Sequence, residues 1–397
     1  MRTPTRSVPS AGGPLSAPAP DAADRTGQAT TPEKSPAQPA SPQVKPDTDD
    51  EIWRRVTREV ADDLAVDALV RDRAGKPPFD ELARLREAGL PALLTPPGPA
   101  RRGTDWRTAC AVIREISAAD GSIGELLGRH YVLSWSARFF GTPERADGLE
   151  RRASAEQWLW GGGIDLPDTE PATGPDLTLT PAEGGYLLNG CQSFAAGVTV
   201  ADRLVLGAVP HDEHALAPFT TLAPLALRLA LVHVSLGIAE GALAEARDLT
   251  RAAPRSRPVT GRDDGAYPDR PDADPYLLLA YGELVTDAHT AAAVVESASE
   301  ALARGLLAGP ELGVDQRAEI AVLVAAAEAV TSRSAMHLTT RILELTQGAD
   351  SAADPLGFDR FWRNTRVLTA QASPTHGLRD IGDHYLNGTH PALTPHA

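Results

Sequence analysis

The sequence predicts a mainly helical protein with a small β-domain in the middle of the chain. Aromatic residues make up only 5% of its 397 residues, while alanine and leucine are abundant. This composition is typical of helices that pack closely through small side chains. Long segments with apolar residues at helical spacing lie on both sides of a region with strand-like alternation and glycine-rich turns. We therefore expect a helical domain, then a small β-domain, then a helical bundle.

The first segment, residues 1–50, is expected to be a disordered tail. It combines Pro, Ala, Ser, Thr and charged residues, and no aromatic residue precedes Trp53. Such a segment cannot bury enough apolar surface to offset the entropy lost on ordering. It also has no apolar run long enough for a signal peptide or a membrane span.

Charge and cysteine content narrow the expected partners and location. The net charge of −15 argues against binding to nucleic acid or to an anionic membrane. The two cysteines, Cys110 and Cys191, cannot form a disulfide framework, and the chain has no C-x-x-C motif. A reducing, cytoplasmic location is the expectation that follows.

Residues 51–155 are predicted to form an N-terminal helical domain. Ser122 to Glu125 matches a capping box, which predicts a helix that runs toward Phe140 and stops at the following glycine. Thr142 followed by Pro143 predicts the start of another helix. Apolar periodicity predicts three earlier helices, which cover 52–70, 79–88 and 106–117.

Residues 156–214 are predicted to form a short β-domain of four or five strands. Leu177 to Thr180 alternates at period two, and the Asn189-Gly190 pair is typical of a hairpin turn. Further strands are expected at 158–160 and 204–206.

Residues 215–397 are predicted to form an antiparallel four-helix bundle. Helical periodicity covers 219–250, 276–307 and 314–346, and a fourth helix carries the aromatic-rich segment near 358–366. The long Leu/Ala/Val face of 219–250 predicts burial between subunits as well as within one. We therefore expect a homo-oligomer, a dimer or a tetramer.

Five segments carry a resemblance to a known family. They are REISAADGSIGELLGRH at 114–130, YLLNGCQSFAAG at 186–197, LVHVSLGIAEGALAEARDLTR at 231–251, DPYLLLAYGEL at 274–284 and FDRFWRN at 358–364. In order and spacing they resemble the flavin-dependent monooxygenase branch of the acyl-CoA dehydrogenase superfamily, the dibenzothiophene monooxygenase type. The resemblance implies an acyl-CoA dehydrogenase-like fold, FMN as cofactor, a separate flavin reductase and oxygenation of a small hydrophobic substrate.

The resemblance also assigns candidate site residues. His130 matches a pocket histidine, and Arg255 matches an arginine that contacts the cofactor phosphate. Gln371 stands where the family has its catalytic histidine, so His130 and Gln371 are the candidate catalytic residues. Tyr131, Trp160 and Arg363 are the candidate substrate-pocket residues.

Four further positions match the flavin site, and three of them carry altered residues. Gly163 replaces a polar amide, and Ala196 replaces a hydroxyl. Gly348 keeps a loop glycine, but Asp350 stands two residues later in place of a phosphate-binding arginine. A carboxylate repels a phosphate that an arginine would bind. FMN is therefore either kept through the remaining contacts or lost.

The predicted β-domain is shorter than that of the family. The strands end near Val209, and the segment His211-Asp-Glu-His214 follows at once, where the family continues with several more strands. This loop is expected to be a solvated turn, so no metal site is predicted. A partner, a rearranged loop or a subunit interface must cover the exposed edge that remains.

Three functions stay open on this sequence. The first is an ordinary two-component flavin monooxygenase. The second is a flavin-free enzyme that reuses the cavity, such as a cyclase, isomerase or dehydratase acting on a hydrophobic metabolite. The third is a non-catalytic subunit that pairs with an intact paralogue. His130 has its own alternative, a histidine whose hydrogen bonds are satisfied within the fold.

Overall fold

The structure is a computed structural model that describes nine stretches of the chain. They are 49–94, 104–163, 177–190, 197–206, 209–210, 217–252, 270–347, 356–371 and 374–391. The predicted tail lies outside the described residues, apart from its last two positions, which begin the first helix.

Six helices lie in the described residues of the first part of the chain, where five were predicted. They are α1 (Asp49–Ala74), α2 (Phe79–Glu87), α3 (Trp106–Ala119), α4 (Gly121–Ser134), α5 (Ser136–Phe140) and α6 (Pro143–Glu156), with a 3-10 turn at Leu90–Ala92. The Thr142 hydroxyl caps α6 by accepting the N–H of Arg145. This confirms the predicted start of that helix.

The start of α4 differs from the prediction. Asp120, not Ser122, is the N-cap, because its carboxylate accepts the backbone N–H groups of Ser122 and Ile123. Glu125, the other member of the predicted capping box, instead contacts Arg129 one turn later at 2.8 Å. The helix also breaks at Trp135, so two helices occupy the span that was predicted as one.

The described part of the next region holds five short strands: β1 (Trp160–Gly163), β2 (Thr178–Ala182), β3 (Gly185–Asn189), β4 (Arg203–Leu206) and β5 (Val209–Pro210). Strand β1 pairs in parallel with β4, while β2 pairs antiparallel with β3 and in parallel with β5. The hairpin turn predicted at Asn189-Gly190 is wrong. Leu179 pairs with Leu188, which places Asn189 at the end of β3 and the turn at Glu183-Gly184.

The rest of the described chain is helical. The helices are α7 (Leu222–Ala252), α8 (Pro275–Ala308), α9 (Val314–Gln347), α10 (Asp359–Gln371) and α11 (Pro374–Asn387). The predicted C-terminal helix is therefore followed by a second one. One continuous hydrophobic core extends from α1–α4 into α7–α10.

Helix α7 lies at the centre of this core. It is long and apolar enough to cross a membrane, but 83% of its most apolar window is buried inside the protein, as in the core helix of a soluble fold. Glycines let α3 approach it closely. A Cβ on Gly237 would lie 2.3 Å from the Arg114 carbonyl oxygen, and one on Gly241 would lie 2.0 Å from that of Ala118.

Candidate functional site

His130 lies on α4 and is 1% exposed. Its Nδ1 accepts the backbone N–H of Trp160 at 3.0 Å, so the ring proton is on Nε2, which donates to the Pro91 carbonyl at 2.8 Å. Burial lowers the pKa of His130 to about 4. The imidazole is therefore neutral near pH 7, and both of its nitrogens are used within the fold.

The polar group of Tyr131 is also hydrogen-bonded within the fold. Its hydroxyl donates to the Leu90 carbonyl at 2.9 Å, and burial raises the pKa of the phenol well above its usual value. Adjacent residues of α4 thus attach to adjacent carbonyls of the 3-10 turn. His130 also reaches β1, so it connects three segments that are far apart in sequence.

Trp160 begins β1 and is the third candidate residue of this site, because its backbone N–H bonds to His130. Its side chain packs with Leu133 and Trp158 in a small second core. The indole N–H of Trp160 is buried, and it has no hydrogen-bond partner among the described residues. It is an unused donor, which costs about 1–3 kcal/mol unless a further group accepts it.

Gly163 ends the same strand, where it pairs with Leu206 of β4. Close packing accounts for the two glycines before it. A Cβ on Gly162 would lie 2.1 Å from the Val205 carbonyl oxygen, and a Cβ on Gly161 would lie 2.7 Å from the Ala201 Cβ. Glycine is needed here because β4 passes so near.

Arg363 does not join these residues. It lies on α10, where its Nη2 contacts the Asp72 carboxylate of α1 at 2.6 Å and its Nε contacts Asp359 at 3.0 Å. These contacts raise the pKa of the guanidinium, most of all through the hydrogen bond to Asp72. Arg363 therefore helps to attach α10 to α1.

The other candidates have no described side chain. Gln371 is the last residue of α10. Arg255, Ala196, Gly348 and Asp350 lie outside the described residues.

A buried ion pair beneath α11 was not found from the sequence. Arg228 of α7 donates from Nε to the Glu328 carboxylate of α9 at 3.1 Å, and both side chains are largely buried. A Cβ on Gly377 of α11 would lie 3.6 Å from the Arg228 guanidinium. The sequence shows a single arginine within the apolar run of α7, but its partner lies one hundred residues away, so spacing alone does not predict the pair.

A groove of about 580 Å³ opens between α1, α3, α7 and α8. His233, 3% exposed, lies at its wall and bonds through Nε2 to the Ser299 hydroxyl at 2.8 Å. The groove carries six carboxylates, but arginines contact most of them, as Arg114 contacts Glu240. Its buried thiol, Cys110, has a pKa raised by burial to about 12, so it is not a nucleophile.

The described candidates do not by themselves form a flavin site. A flavin ring needs partners for its carbonyls and ring nitrogens, and its phosphate needs donors or cations. The polar groups of His130, Tyr131 and Arg363 are all engaged within the fold. Among the described candidates, the Trp160 indole is the buried donor that has no described partner.

Comparison with known proteins identifies the family. The model for the acyl-CoA dehydrogenase C-terminal domain matches residues 229–373. A dibenzothiophene monooxygenase of Rhodococcus qingshengii is 30% identical, over 85% of this chain and 93% of its own length. A Pseudomonas putida protein named as a probable FMNH2-dependent monooxygenase, SfnC, is 26% identical over 85% of this chain and 95% of its own length.

Solved structures agree with these sequence relatives. TdsC from Paenibacillus sp. A11-2, in complex with FMN and indole, superposes with a TM-score of 0.77 and 26% identity, covering 87% of this chain and 99% of its own. The predicted fold class is thereby confirmed. The chain belongs to the acyl-CoA dehydrogenase superfamily, in the branch of flavin-dependent monooxygenases that includes dibenzothiophene monooxygenase.

Proposed function

We propose that this chain handles a small hydrophobic molecule, as its oxidoreductase relatives do, but no longer binds FMN at micromolar concentration. The hydrogen bonding of His130 carries the proposal. A pocket histidine that serves a flavin or a substrate needs a free nitrogen, and both nitrogens of His130 are occupied at 2.8 and 3.0 Å.

The altered positions support the same conclusion. Gly163 and Ala196 offer no polar side chain to a flavin ring, and Asp350 replaces a phosphate-binding arginine. Losing an arginine contact and gaining a carboxylate each cost about 1–3 kcal/mol in a partly buried site. Together with the lost ring contacts, these changes weaken binding by roughly several powers of ten.

FMN titration of the purified full-length chain tests the proposal. We expect a colourless protein whose addition does not change FMN fluorescence at micromolar concentration. Asp350→Arg should tighten whatever weak binding exists, because it restores the cation. Glu319→Arg, which adds the same charge at an exposed position of α9, should leave binding unchanged.

The rival is an ordinary two-component monooxygenase that receives reduced FMN from a separate reductase. Its support is the similarity to relatives named as monooxygenases. Stoichiometric yellow flavin in the purified protein would overturn our proposal and restore this rival. If no flavin binds but a hydrophobic metabolite is converted, the flavin-free cyclase, isomerase or dehydratase is the function that remains.

A second candidate is a subunit that works in an assembly, either with copies of itself or with an intact paralogue. The exposed apolar side chains of the strand region favour it. Tyr186 and Leu187 of β3 are 69% and 56% exposed, and Leu204 of β4 is 47% exposed. We expect at least a dimer by light scattering, and a monomer at working concentration would count against this candidate.

A further inference from the structure

One buried arginine, Arg317, contacts no carboxylate of the described residues. Among the described residues three arginines are buried, Arg129, Arg317 and Arg360. Arg129 contacts Glu125, and Arg360 contacts Glu245. Arg317, which is 5% exposed, bonds only to neutral acceptors, the Thr221 hydroxyl at 3.0 Å and the Pro391 carbonyl at 3.1 Å. A buried cation without a counter-charge is costly, and the other two buried arginines avoid that cost.

The surroundings of Arg317 add positive potential. It lies in the first turn of α9, and Thr221 immediately precedes α7, so two helix N-termini, the positive ends of their dipoles, are close. Burial and the nearby Arg228 lower the pKa of Arg317 to about 10. The carboxylate of Glu328 is engaged by Arg228 and does not serve Arg317.

The donors at this place can hold an anion. A guanidinium carries five N–H donors, and the two bonds above leave the others for a further acceptor. Part of its cover is Pro391, which follows the exposed residues Thr389 and His390, and His390 contacts the exposed Asp315 at 3.2 Å. A ligand therefore reaches Arg317 from the side of this exposed segment.

We propose that Arg317, together with Thr221 and the first turn of α9, forms an anion site for a small oxyanion or carboxylate taken from solvent. The planar guanidinium binds two oxygens of such a group side by side, and the backbone N–H groups of the helix N-terminus add donors. The Thr221 hydroxyl accepts from Arg317 Nε and donates to the Pro218 carbonyl, so it holds the guanidinium in place. This site is separate from the residues around His130, and it does not depend on whether the chain binds flavin.

Thermal unfolding of the full-length chain in inorganic phosphate tests the site, with chloride used to hold the ionic strength constant. The wild-type midpoint should rise and saturate with phosphate, because a ligand that binds only the folded state stabilises it. Arg317→Met should lose this response. Without phosphate, its midpoint should equal or exceed that of the wild type, since an unpaired buried charge has been removed.

Arg129→Met is the matched control, because it removes a buried arginine that has a carboxylate. It should lower the midpoint in every buffer, through the uncompensated Glu125, and should keep the phosphate response. Arg317→Lys covers the case in which the methionine variant does not fold. It keeps the charge but not the planar fork, so phosphate should bind roughly tenfold more weakly.

Two outcomes would overturn the site. An equal phosphate response in wild type and Arg317→Met would mean an adventitious ion only. A wild type that ignores phosphate, sulfate and acetate, while Arg317→Met changes the mass by light scattering, would mean that a carboxylate of a second chain serves Arg317 in place of a free anion.

Discussion

The buried faces of α7 and α9 and the strand β3 place their apolar side chains in opposite environments. Leu338 of α9 and Ile238 of α7 are fully buried, and the core they belong to runs through both helical parts of the chain. Every residue of β3 is exposed, and Leu188 is still 41% accessible. The core helices therefore bury most of their apolar surface within the chain, although α8 and α11 also expose Leu279, Leu307 and Tyr385, whereas β3 exposes all of its residues.

His130 lies where these two regions meet. It attaches α4 of the helical part to the first residue of β1, and it does so in its neutral form. The imidazole of His130 thus holds β1 onto the helices. This role in the fold explains why a residue that the family resemblance assigns to the pocket offers no free nitrogen.

The largest difference should appear on truncating one leucine in each region. Leu338→Ala removes a fully buried side chain and should cost about 2–5 kcal/mol of unfolding free energy. Leu188→Ala lies on an exposed strand and should stay within about 0.5 kcal/mol. Urea unfolding measures both. Equal losses would show that the strand face is buried in solution and would remove the contrast.

Lowering the pH should destabilise the folded chain through its buried histidines. The pKa of His130 is lowered to about 4 in the folded chain, below its usual 6.5, so the unfolded state binds a proton first as the pH falls. Stability should therefore decrease between about pH 6.5 and pH 4, and the His130 share is up to about 3 kcal/mol. Below that window both states are protonated and this contribution levels off.

His130→Gln removes that titration and should flatten the unfolding free energy over the same pH range. His233→Gln is the comparison within the bundle. Burial lowers the pKa of His233 to about 3, so removing this histidine should flatten the pH dependence of stability further toward acid.

His130→Ala separates a structural role of His130 from a catalytic one. We expect lower stability with unchanged activity or ligand binding per folded molecule. The reverse pattern would assign His130 to the chemistry.

Close packing of α3 on α7 should tolerate less change than an open helix surface. Gly241→Ala places a Cβ 2.0 Å from the Ala118 carbonyl oxygen, so the helices must separate, at a cost of about 1–3 kcal/mol. Gly282→Ala on α8 meets no atom within 4 Å and should gain about 0.5–1 kcal/mol from helix propensity. If both variants were stabilised, α3 and α7 would lie farther apart in solution than these distances imply.

The long helices were predictable from sequence because their signal is local. Apolar periodicity predicted 219–250 and 314–346, and the structure has Leu222–Ala252 and Val314–Gln347. The hairpin turn was not predictable in this way. Gly184 and Gly190 both adopt positive φ and both follow strand-like residues, and only the pairing of Leu179 with Leu188 selects Gly184 as the turn.

The candidate site depends on contacts that sequence spacing does not reveal. His130 bonds to residues 39 and 30 positions away, and Arg228 bonds to Glu328 across one hundred. The family resemblance identified His130 as a pocket residue, but only the fold shows that its nitrogens are used. The same holds for Arg363, whose contact with Asp72 spans nearly the whole described chain.

The smallest effect on stability, and the sharpest test of the contrast, should come from the strand surface. Tyr186→Ser combined with Leu187→Ser replaces two exposed apolar side chains and should change the unfolding free energy by less than about 0.5 kcal/mol. If another chain covers this face, the mass by light scattering should fall toward the monomer, because the contact loses its apolar centre. Val66→Ser, at an 85% exposed position of α1, controls for the loss of an apolar surface residue and should leave the mass unchanged. A strong loss of stability with an unchanged mass would instead show that the chain covers its own strands, and the strand region would then be as complete as the bundle.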